Sequence, residues 1–188
     1  MEALEDSLND IILRAKAGDR SAFDTLYKLY ITPVYRYIWI RMHNKEDAED
    51  VTQDTFLKAY QALSRYKHEK TSMLPYLFTI ARNLLINHGK KKRPLGYLPE
   101  EMDRHAASEV TSQLSTDREL SQELQIAMEV LTVTEREVIE LRFFGEQTYA
   151  EIAVTMDKRE DAIRQHVARA MKKMKTKIEE FGTEQLSI

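Results

Sequence analysis

The chain has 188 residues, 43% hydrophobic and 31% charged, which is typical of a soluble globular protein with room for one ordinary domain or two small ones. It contains no cysteine and only five glycines and four prolines, which excludes a disulfide scaffold or a thiolate metal site and favours helices over turn-rich β structure. The formal net charge is −3, no apolar run approaches the length of a membrane span and the N-terminal residues are acidic, so we expect a cytoplasmic protein with no secretory signal and no membrane insertion.

Three helices are predicted in the first half of the chain. Apolar residues between positions 23 and 30 recur at helical spacing, and Pro33 is expected to break this helix or to begin the next one. A second helix, over residues 45–63, has one polar face and one apolar face. The apolar face comprises Ala48, Val51, Thr55, Phe56, Ala59 and Leu63. A third helix follows Pro75, and Gly89 with the lysine run that follows it is expected to end it.

The character of the chain changes over residues 95–115. Acidic, serine and threonine residues dominate here with little apolar periodicity, which is typical of a linker. Helices resume with two capping boxes, which begin at Thr116 and Thr132. The predicted fold is therefore all-α, with two small helical domains, residues 1–94 and 116–188, joined by a flexible acidic linker.

A helix-turn-helix is predicted near the end of the chain. Thr148 and Glu151 form a capping box at the start of a short helix, and Asp157 is expected to cap its end. The helix that follows has an apolar inner face, made of Ile163, Val167, Ala170 and Met171. Its outer face carries Arg159, Arg164, Gln165, His166 and Arg169. Because arginine and glutamine make bidentate contacts with guanine and adenine in the major groove, this helix is predicted to read DNA.

The negative net charge does not oppose this prediction, because the charges are segregated along the chain. Basic residues crowd positions 90–93 and 158–177, whereas acidic residues crowd positions 46–54 and 100–123. Phosphate binding depends on the potential within about one Debye length, roughly 8–10 Å. A chain that is acidic as a whole can therefore bind DNA through its basic segments.

Two sets of motifs resemble one known family. Residues 131–144 (LTVTEREVIELRFF) and 148–153 (TYAEIA) resemble region 4 of bacterial sigma factors. Residues 47–60 (DAEDVTQDTFLKAY) and 76–84 (YLFTIARNL) resemble region 2. The two sets stand in the family's order and cover most of the chain. The chain thus resembles the compact extracytoplasmic-function (ECF) group of the sigma-70 family.

The resemblance implies an alternative sigma factor that binds core RNA polymerase, recognises the −10 and −35 promoter elements and directs transcription initiation. It implies no enzymatic activity, no catalytic residue, no metal ion and no cofactor. The implied partners are the β′ clamp helices and the β flap of core polymerase, promoter DNA and an anti-sigma factor. The free protein is expected to be a monomer.

The resemblance also gives three groups of residues a role. The polar face of the second helix would dock on the β′ clamp helices and comprises Glu46, Glu49, Asp50, Gln53 and Asp54. The −10 element would meet Arg65, Tyr66, Lys67, His68, Lys70, Arg82, Asn83, Asn87, Lys90, Lys91, Lys92 and Arg93. The −35 element would meet Thr148, Arg159, Arg164, Gln165, His166 and Arg169. An aromatic ring among basic groups suits an opened strand, because bases stack on rings while lysine and arginine follow phosphates.

The chain departs from the family at three positions. Tyr76 stands where Trp is common, and Ala162 and His166 stand where Thr and Arg are common. The substitution at Ala162 removes a contact to DNA, and the sequence preference at the −35 element stays open.

The same residues bear on other functions. A conventional helix-turn-helix regulator, with a sensing or dimerising N-terminal domain, is the alternative reading. The acidic residues at 46–54 lack the histidine pairs of di-iron bundles and the glycine of a calcium loop, and the five histidines lack ligand spacing. No nucleophile motif or phosphate-binding glycine loop supports an enzyme.

Overall fold

The computed structural model describes residues 2–42, 44–66, 72–91 and 117–185. Within these ranges side chains are described except at 2–6, 89–91, 117–122 and 184–185. The described chain is helical and has no strand, which confirms the predicted all-α class. The predicted linker and the capping box at Thr116 lie outside the described residues.

Four helices form the first part of the fold, here called the N-terminal bundle. They are α1 (Glu2–Lys16), α2 (Arg20–Met42), α3 (Lys45–Ala62) and α4 (Leu74–Lys91), with a 3-10 turn over Leu63–Arg65. Helix α2 packs against each of the other three, and α3 packs on α4. The predicted apolar face of α3 is buried in this bundle, from Ala48 to Leu63. The opposite face of α3 is therefore left for solvent.

One expected helix boundary is wrong. Pro33 neither breaks nor begins a helix, because α2 runs through it without interruption. The neighbouring Val34 and Tyr37 are fully buried, so packing holds the helix where the proline removes a backbone hydrogen bond. Helix α4 passes through Gly89 and ends at Lys91, within the lysine run that was expected to end it. An interior glycine costs only about 1 kcal/mol relative to alanine, so the helix continues through that position.

The second part of the fold, the C-terminal unit, is built around one long helix. Its elements are α5 (Asp117–Glu129), α6 (Val133–Ile139), a π-helical turn (Glu140–Phe144), α7 (Tyr149–Met156) and α8 (Glu160–Gln185). Helix α8 packs against α5, α6 and α7. The capping box predicted at Thr132 is confirmed, since its hydroxyl accepts a hydrogen bond from Glu135 N and the Glu135 carboxylate accepts one from Thr132 N.

One residue of the inner face of α8 was assigned wrongly. Ile163, Val167 and Ala170 are buried as predicted, but Met171 is 46% exposed. The buried stripe continues instead at Met174. A residue eight positions after Ile163 is about 80° away from it around a helix of 3.6 residues per turn, which turns Met171 out of the core.

The N-terminal bundle and the C-terminal unit pack against each other, through α4 on α7 and α2 on the π-helical turn. The ring of Phe78 lies over Gly145 so closely that a Cβ atom there would stand 2.8 Å from Phe78 Cζ. Phe78 also meets Tyr37 edge to face, with ring centroids 5.1 Å apart. Tyr37 is fully buried, and its hydroxyl has no hydrogen-bond partner among the described residues. The hydrophobic core thus continues from one part into the other.

Candidate nucleic-acid interface

The predicted helix-turn-helix is formed by α7, a short turn and α8. The Thr148 hydroxyl accepts a hydrogen bond from Glu151 N at 3.2 Å, and the Glu151 carboxylate accepts one from Thr148 N at 2.8 Å, which confirms the capping box. Asp157 caps the end of α7 in the left-handed conformation, at φ 52°. Ile152 and Ile163 are both fully buried where the two helices meet. The caps and this contact fix the angle at which α8 leaves the domain.

The proposed base-reading side chains stand on the outer face of α8. Arg159, Arg164, Gln165 and Arg169 are exposed, and His166 is half-buried. Each arginine has a partner on its own helix or turn: Arg159 bonds Asp161, Arg164 bonds Glu160, and Arg169 lies 3.3 Å from His166 Nδ1. Burial, together with the charges of Arg169 and Lys158, holds the pKa of His166 below its ordinary value, so the ring is neutral at pH 7. The positive charge of this face therefore comes from the arginines.

Tyr149 supports the arginines of this surface, and it was not among the residues predicted for it. Its ring lies between two guanidinium groups, with Arg164 Cζ at 4.5 Å and Arg142 Cζ at 4.9 Å from the ring centroid. Arg142 is held in turn by a hydrogen bond of 2.7 Å to the carbonyl of Gln147. The only signal in the sequence was an aromatic residue next to the cap at Thr148. Its stacking depends on a turn between helices that periodicity does not describe.

The acidic face of α3 is a second exposed surface. Its predicted members Glu46, Glu49, Asp50, Gln53 and Asp54 are all exposed. Their only described ion pair with a lysine is Lys45 to Glu49, at 3.9 Å, and both side chains face water. The helix begins after Asn44, whose side-chain Oδ1 accepts a hydrogen bond from Asp47 N. The structure thus brings five polar residues together on one uncovered helix face.

The predicted −10 residues are only partly described. Arg65, Asn83 and Asn87 are exposed. Tyr66 is half-buried, and its ring lies 4.5 Å from that of Tyr76, which hydrogen-bonds the carbonyl of Ala59. Lys67, His68, Lys70, Lys92 and Arg93, and the side chains of Lys90 and Lys91, lie outside the described part.

Arg82 differs from its neighbours in this group. It is half-buried, and its Nε donates a hydrogen bond of 2.6 Å to the Glu137 carboxylate in the C-terminal unit. The sequence reading placed Arg82 on a DNA surface, whereas here it also joins the two parts of the protein. Nothing in the sequence near Arg82 indicated this partner, which lies 55 residues further along the chain.

The described side chains contain no group of three histidine, aspartate or glutamate residues that could hold a metal ion. None of the helices in the described ranges is both long enough and apolar enough to cross a membrane.

Family models match both parts of the chain. The model for sigma-70 region 2 matches residues 26–94, and the model for sigma-70 region 4 matches residues 127–176. Two solved structures share the fold. CnrH in complex with the cytosolic domain of CnrY has a TM-score of 0.65 at 19% identity, over 89% of this chain and 94% of that one. The sigma factor RpoE of Bartonella quintana, in complex with the anti-sigma factor NepR, has a TM-score of 0.60 at 20% identity, over 84% and 96%.

Two similar proteins are named as RNA polymerase sigma factors. The ECF RNA polymerase sigma factor BldN of Streptomyces coelicolor is 34% identical over 170 residues, which span 87% of this chain but only 62% of BldN. The RNA polymerase sigma factor YlaC of Bacillus subtilis is 30% identical over 139 residues, which span 71% of this chain and 79% of YlaC. With both regions matched in order, the chain belongs to the sigma-70 family of bacterial RNA polymerase sigma factors, in its ECF group.

Proposed function

We propose that this chain is an alternative sigma factor that docks on core RNA polymerase, grips the −10 and −35 promoter elements and so directs transcription initiation. It acts in the cytoplasm and has no catalytic group of its own. The observation that carries the proposal is the pairing, in one chain, of an uncovered acidic helix face on the N-terminal bundle with an uncovered basic helix face on the C-terminal unit. We place the domain boundaries at 1–94 and 116–188, with a linker over 95–115.

Core polymerase would dock on the acidic face of α3. Its side chains are exposed, and among the described residues only Glu49 pairs with a lysine, so their field reaches solvent and can steer a positively charged partner. The partner we assign to this face is the pair of β′ clamp helices. The C-terminal unit would meet the β flap.

Promoter DNA would be read by two separate surfaces. Helix α8 would enter the major groove at the −35 element, where the Nη1 group of Arg164 is not used by Glu160 and can donate to a guanine edge. The −10 element would meet Arg65, Tyr66 and the exposed edge of α4, with the lysines that flank it. At the −10 element the contacts would be to the DNA backbone and to opened bases, rather than to base edges in a groove.

A protein that masks these surfaces is a further expected partner. CnrH and RpoE of Bartonella quintana are both seen in complexes, RpoE with an anti-sigma factor. We propose that this chain, a monomer when free, is restrained by an anti-sigma factor.

The docking face can be tested by reversing its charge. Asp50→Lys with Asp54→Lys should lower the affinity for core polymerase at least tenfold, because two attractive charges become repulsive. The matched control is Glu179→Lys with Glu180→Lys, which makes the same change of charge on the exposed end of α8. Affinity for core is measured by fluorescence anisotropy. An equal loss in both variants would make the effect one of net charge and reject the docking face.

Transcription tests the proposal as a whole. Core polymerase with this chain should start transcripts at defined sites on genomic fragments, which core alone does not. Arg164→Ala should then relax one −35 position, at a cost on the order of 1–3 kcal/mol for the preferred base. If the purified chain instead binds a duplex operator tightly by itself and adds nothing to core polymerase, the protein is a conventional regulator.

A further inference from the structure

Two arginines of the N-terminal bundle are bonded to two buried glutamates of the C-terminal unit. Arg41 Nε donates to the Glu140 carboxylate at 2.5 Å, and Arg82 Nε donates to the Glu137 carboxylate at 2.6 Å. Arg41 also lies 3.8 Å from Glu137, so the four side chains form one cluster. Glu137 and Glu140 are only 5% and 3% exposed. A fourth contact at the rim, from Arg36 to Glu146 at 2.8 Å, is open to water.

The buried position of the two glutamates depends on the contact between the two parts. Glu137 lies near the end of α6 and Glu140 begins the π-helical turn, which is the element that α2 covers. A buried carboxylate is strongly destabilising unless it has a partner, so these two residues fit the closed arrangement only with the arginines in place. The cluster therefore specifies how the two parts meet.

The same cluster makes the contact reversible. Removing two charges from water costs about as much as their attraction returns, so a buried ion pair adds little net stability compared with an apolar contact. When the parts separate, both glutamates and both arginines regain water. A contact of this kind is specific in geometry and modest in free energy.

Arg82 connects the contact to DNA binding. It lies on α4 next to the exposed Asn83, on the surface proposed for the −10 element. The Glu137 carboxylate already holds Arg82 Nε at 2.6 Å, so a DNA phosphate would have to displace it. Glu137 thus occupies the position on Arg82 that an anion of the promoter backbone would take.

The spacing of the promoter elements gives an independent reason for opening. Elements at −10 and −35 are about 25 base pairs apart, or roughly 85 Å at about 3.4 Å per pair. A compact chain of this length has a radius of gyration of about 16 Å, and is therefore roughly 40 Å across. The closed arrangement cannot reach both elements at once.

We propose that Glu137 and Glu140 form an internal binding site for Arg41 and Arg82, which holds the free chain closed and competes with promoter DNA for Arg82. The competition with DNA rests on the proposed function of the α4 surface. The closure itself rests only on the contacts between the two parts.

The first test measures closure. The chain has no cysteine, so Lys28→Cys and Glu179→Cys, both at exposed positions, take a dye pair for single-molecule energy transfer. The wild-type chain should show one population of high transfer. Glu137→Gln with Glu140→Gln should add a population of low transfer. The matched control, Glu129→Gln with Glu180→Gln, removes the same charge from exposed positions and should leave one population.

The second test measures competition. Binding to a 30-base-pair duplex of mixed sequence, followed by anisotropy at low salt with no polymerase present, should be at least about threefold tighter for Glu137→Gln with Glu140→Gln than for the control, because a larger fraction of molecules is open. Adding Arg82→Gln to the open variant should remove this gain.

The outcomes separate the two parts of the proposal. If the glutamine variant keeps one high-transfer population, the internal site does not hold the chain closed and the proposal is wrong. If the chain opens but affinity for DNA equals that of the control, closure stands and the competition is wrong. If the gain persists with Arg82→Gln, the role of Arg82 in DNA binding fails while closure stands. Far-UV circular dichroism checks folding, and the single variant Glu137→Gln against Glu129→Gln gives the same comparison should the double variant not fold.

Discussion

Arg41 and Arg164 each bond a glutamate at 2.5 Å, yet they stand in opposite surroundings. The Arg41 side chain is 23% exposed and that of its partner Glu140 is 4% exposed, whereas the values for Arg164 and Glu160 are 59% and 43%. Burial raises the pKa of Glu140, and the charge of Arg41 opposes that shift. The buried pair fixes where the two parts of the protein meet, while the exposed pair can be exchanged for DNA at little cost. Equal distances therefore do not mean equal roles.

Removing one partner from each pair is the most direct way to test this difference. Arg41→Ala should lower the free energy of unfolding by about 1–3 kcal/mol, because Glu140 stays without its partner in a buried site until the two parts separate. Arg164→Ala should lower it by less than about 1 kcal/mol. Both are measured by urea denaturation followed by circular dichroism at pH 7.

Replacing the buried pair by apolar residues serves as the control. Arg41→Met with Glu140→Leu should recover most of the stability lost in Arg41→Ala, because Glu140 no longer leaves a buried charge without its partner. Similar losses for Arg41→Ala and Arg164→Ala would show that burial does not distinguish the two pairs.

Two glycines extend the comparison from charge to packing. Gly145 lies in the contact between the two parts, where an added Cβ would stand 2.8 Å from both Phe78 Cζ and the carbonyl oxygen of Leu141. Gly145→Ala should therefore lower the free energy of unfolding by about 1–3 kcal/mol. Gly182 on the open face of α8 has no atom within 4 Å of that position, and Gly182→Ala should raise stability by up to about 1 kcal/mol. If Gly145→Ala is as stable as the wild type in thermal unfolding, the residues around Gly145 adapt to the added methyl group at little cost.

The pair of Glu135 and Lys173 lies between the buried and exposed cases, because Glu135 is buried and the side chain of Lys173 is 42% exposed. Burial disfavours the charge of Glu135, but hydrogen bonds from Lys173 and Thr132 outweigh burial and hold its pKa below the ordinary 4.5. Its stabilising effect is therefore complete above pH 4.5 and disappears as the pH falls through the lower pKa of the folded state. Glu135→Gln should cost about 1–2 kcal/mol at pH 7, and this difference from the wild type should shrink in acid.

Urea denaturation at pH 7 and again below pH 4.5 measures the Glu135 effect. Glu129→Gln, at an exposed position on α5, is the control and should show almost no difference at either pH. A cost for Glu135→Gln that stays constant with pH would assign the effect to packing.

The smallest expected effect concerns the aromatic support of an exposed arginine. Tyr149→Leu removes the ring between Arg142 and Arg164 and should cost about 0.5–1 kcal/mol in binding to a −35 duplex, because an exposed cation–π contact is worth that much. Tyr149→Phe keeps the ring and should bind as the wild type does. Equal losses in both variants would point to the hydroxyl rather than to stacking.

The elements that depend on local chemistry were predictable from the sequence. The capping boxes at Thr132 and Thr148 use side chains three residues apart, and the cap at Asp157 uses its backbone N–H and carbonyls three and four residues earlier. All of these contacts are local, so sequence spacing is enough to find them. The two faces of α3 were predictable because the helical spacing of apolar residues is enough to separate buried from exposed positions on a long helix.

The buried glutamates of the C-terminal unit were not predictable. A glutamate on a helix is normally read as a surface residue, and Glu140 is buried only because Arg41 arrives from 99 positions earlier in the chain. Likewise the helix through Pro33 is held by Val34 and Tyr37 against other helices. Such features depend on which elements meet, and no local pattern contains that information.

The buried hydroxyl of Tyr37 affects the stability of the contact between the two parts of the protein. Burial raises the pKa of Tyr37 and keeps the group neutral, but its oxygen finds no hydrogen bond among the described residues. A phenylalanine would fill the same space against Phe78 without this loss, so the closed arrangement is less stable than its own shape allows. A contact that is weaker than its shape would allow opens readily and can be replaced by a contact with another molecule. A subunit that must leave one assembly to enter another depends on such a contact.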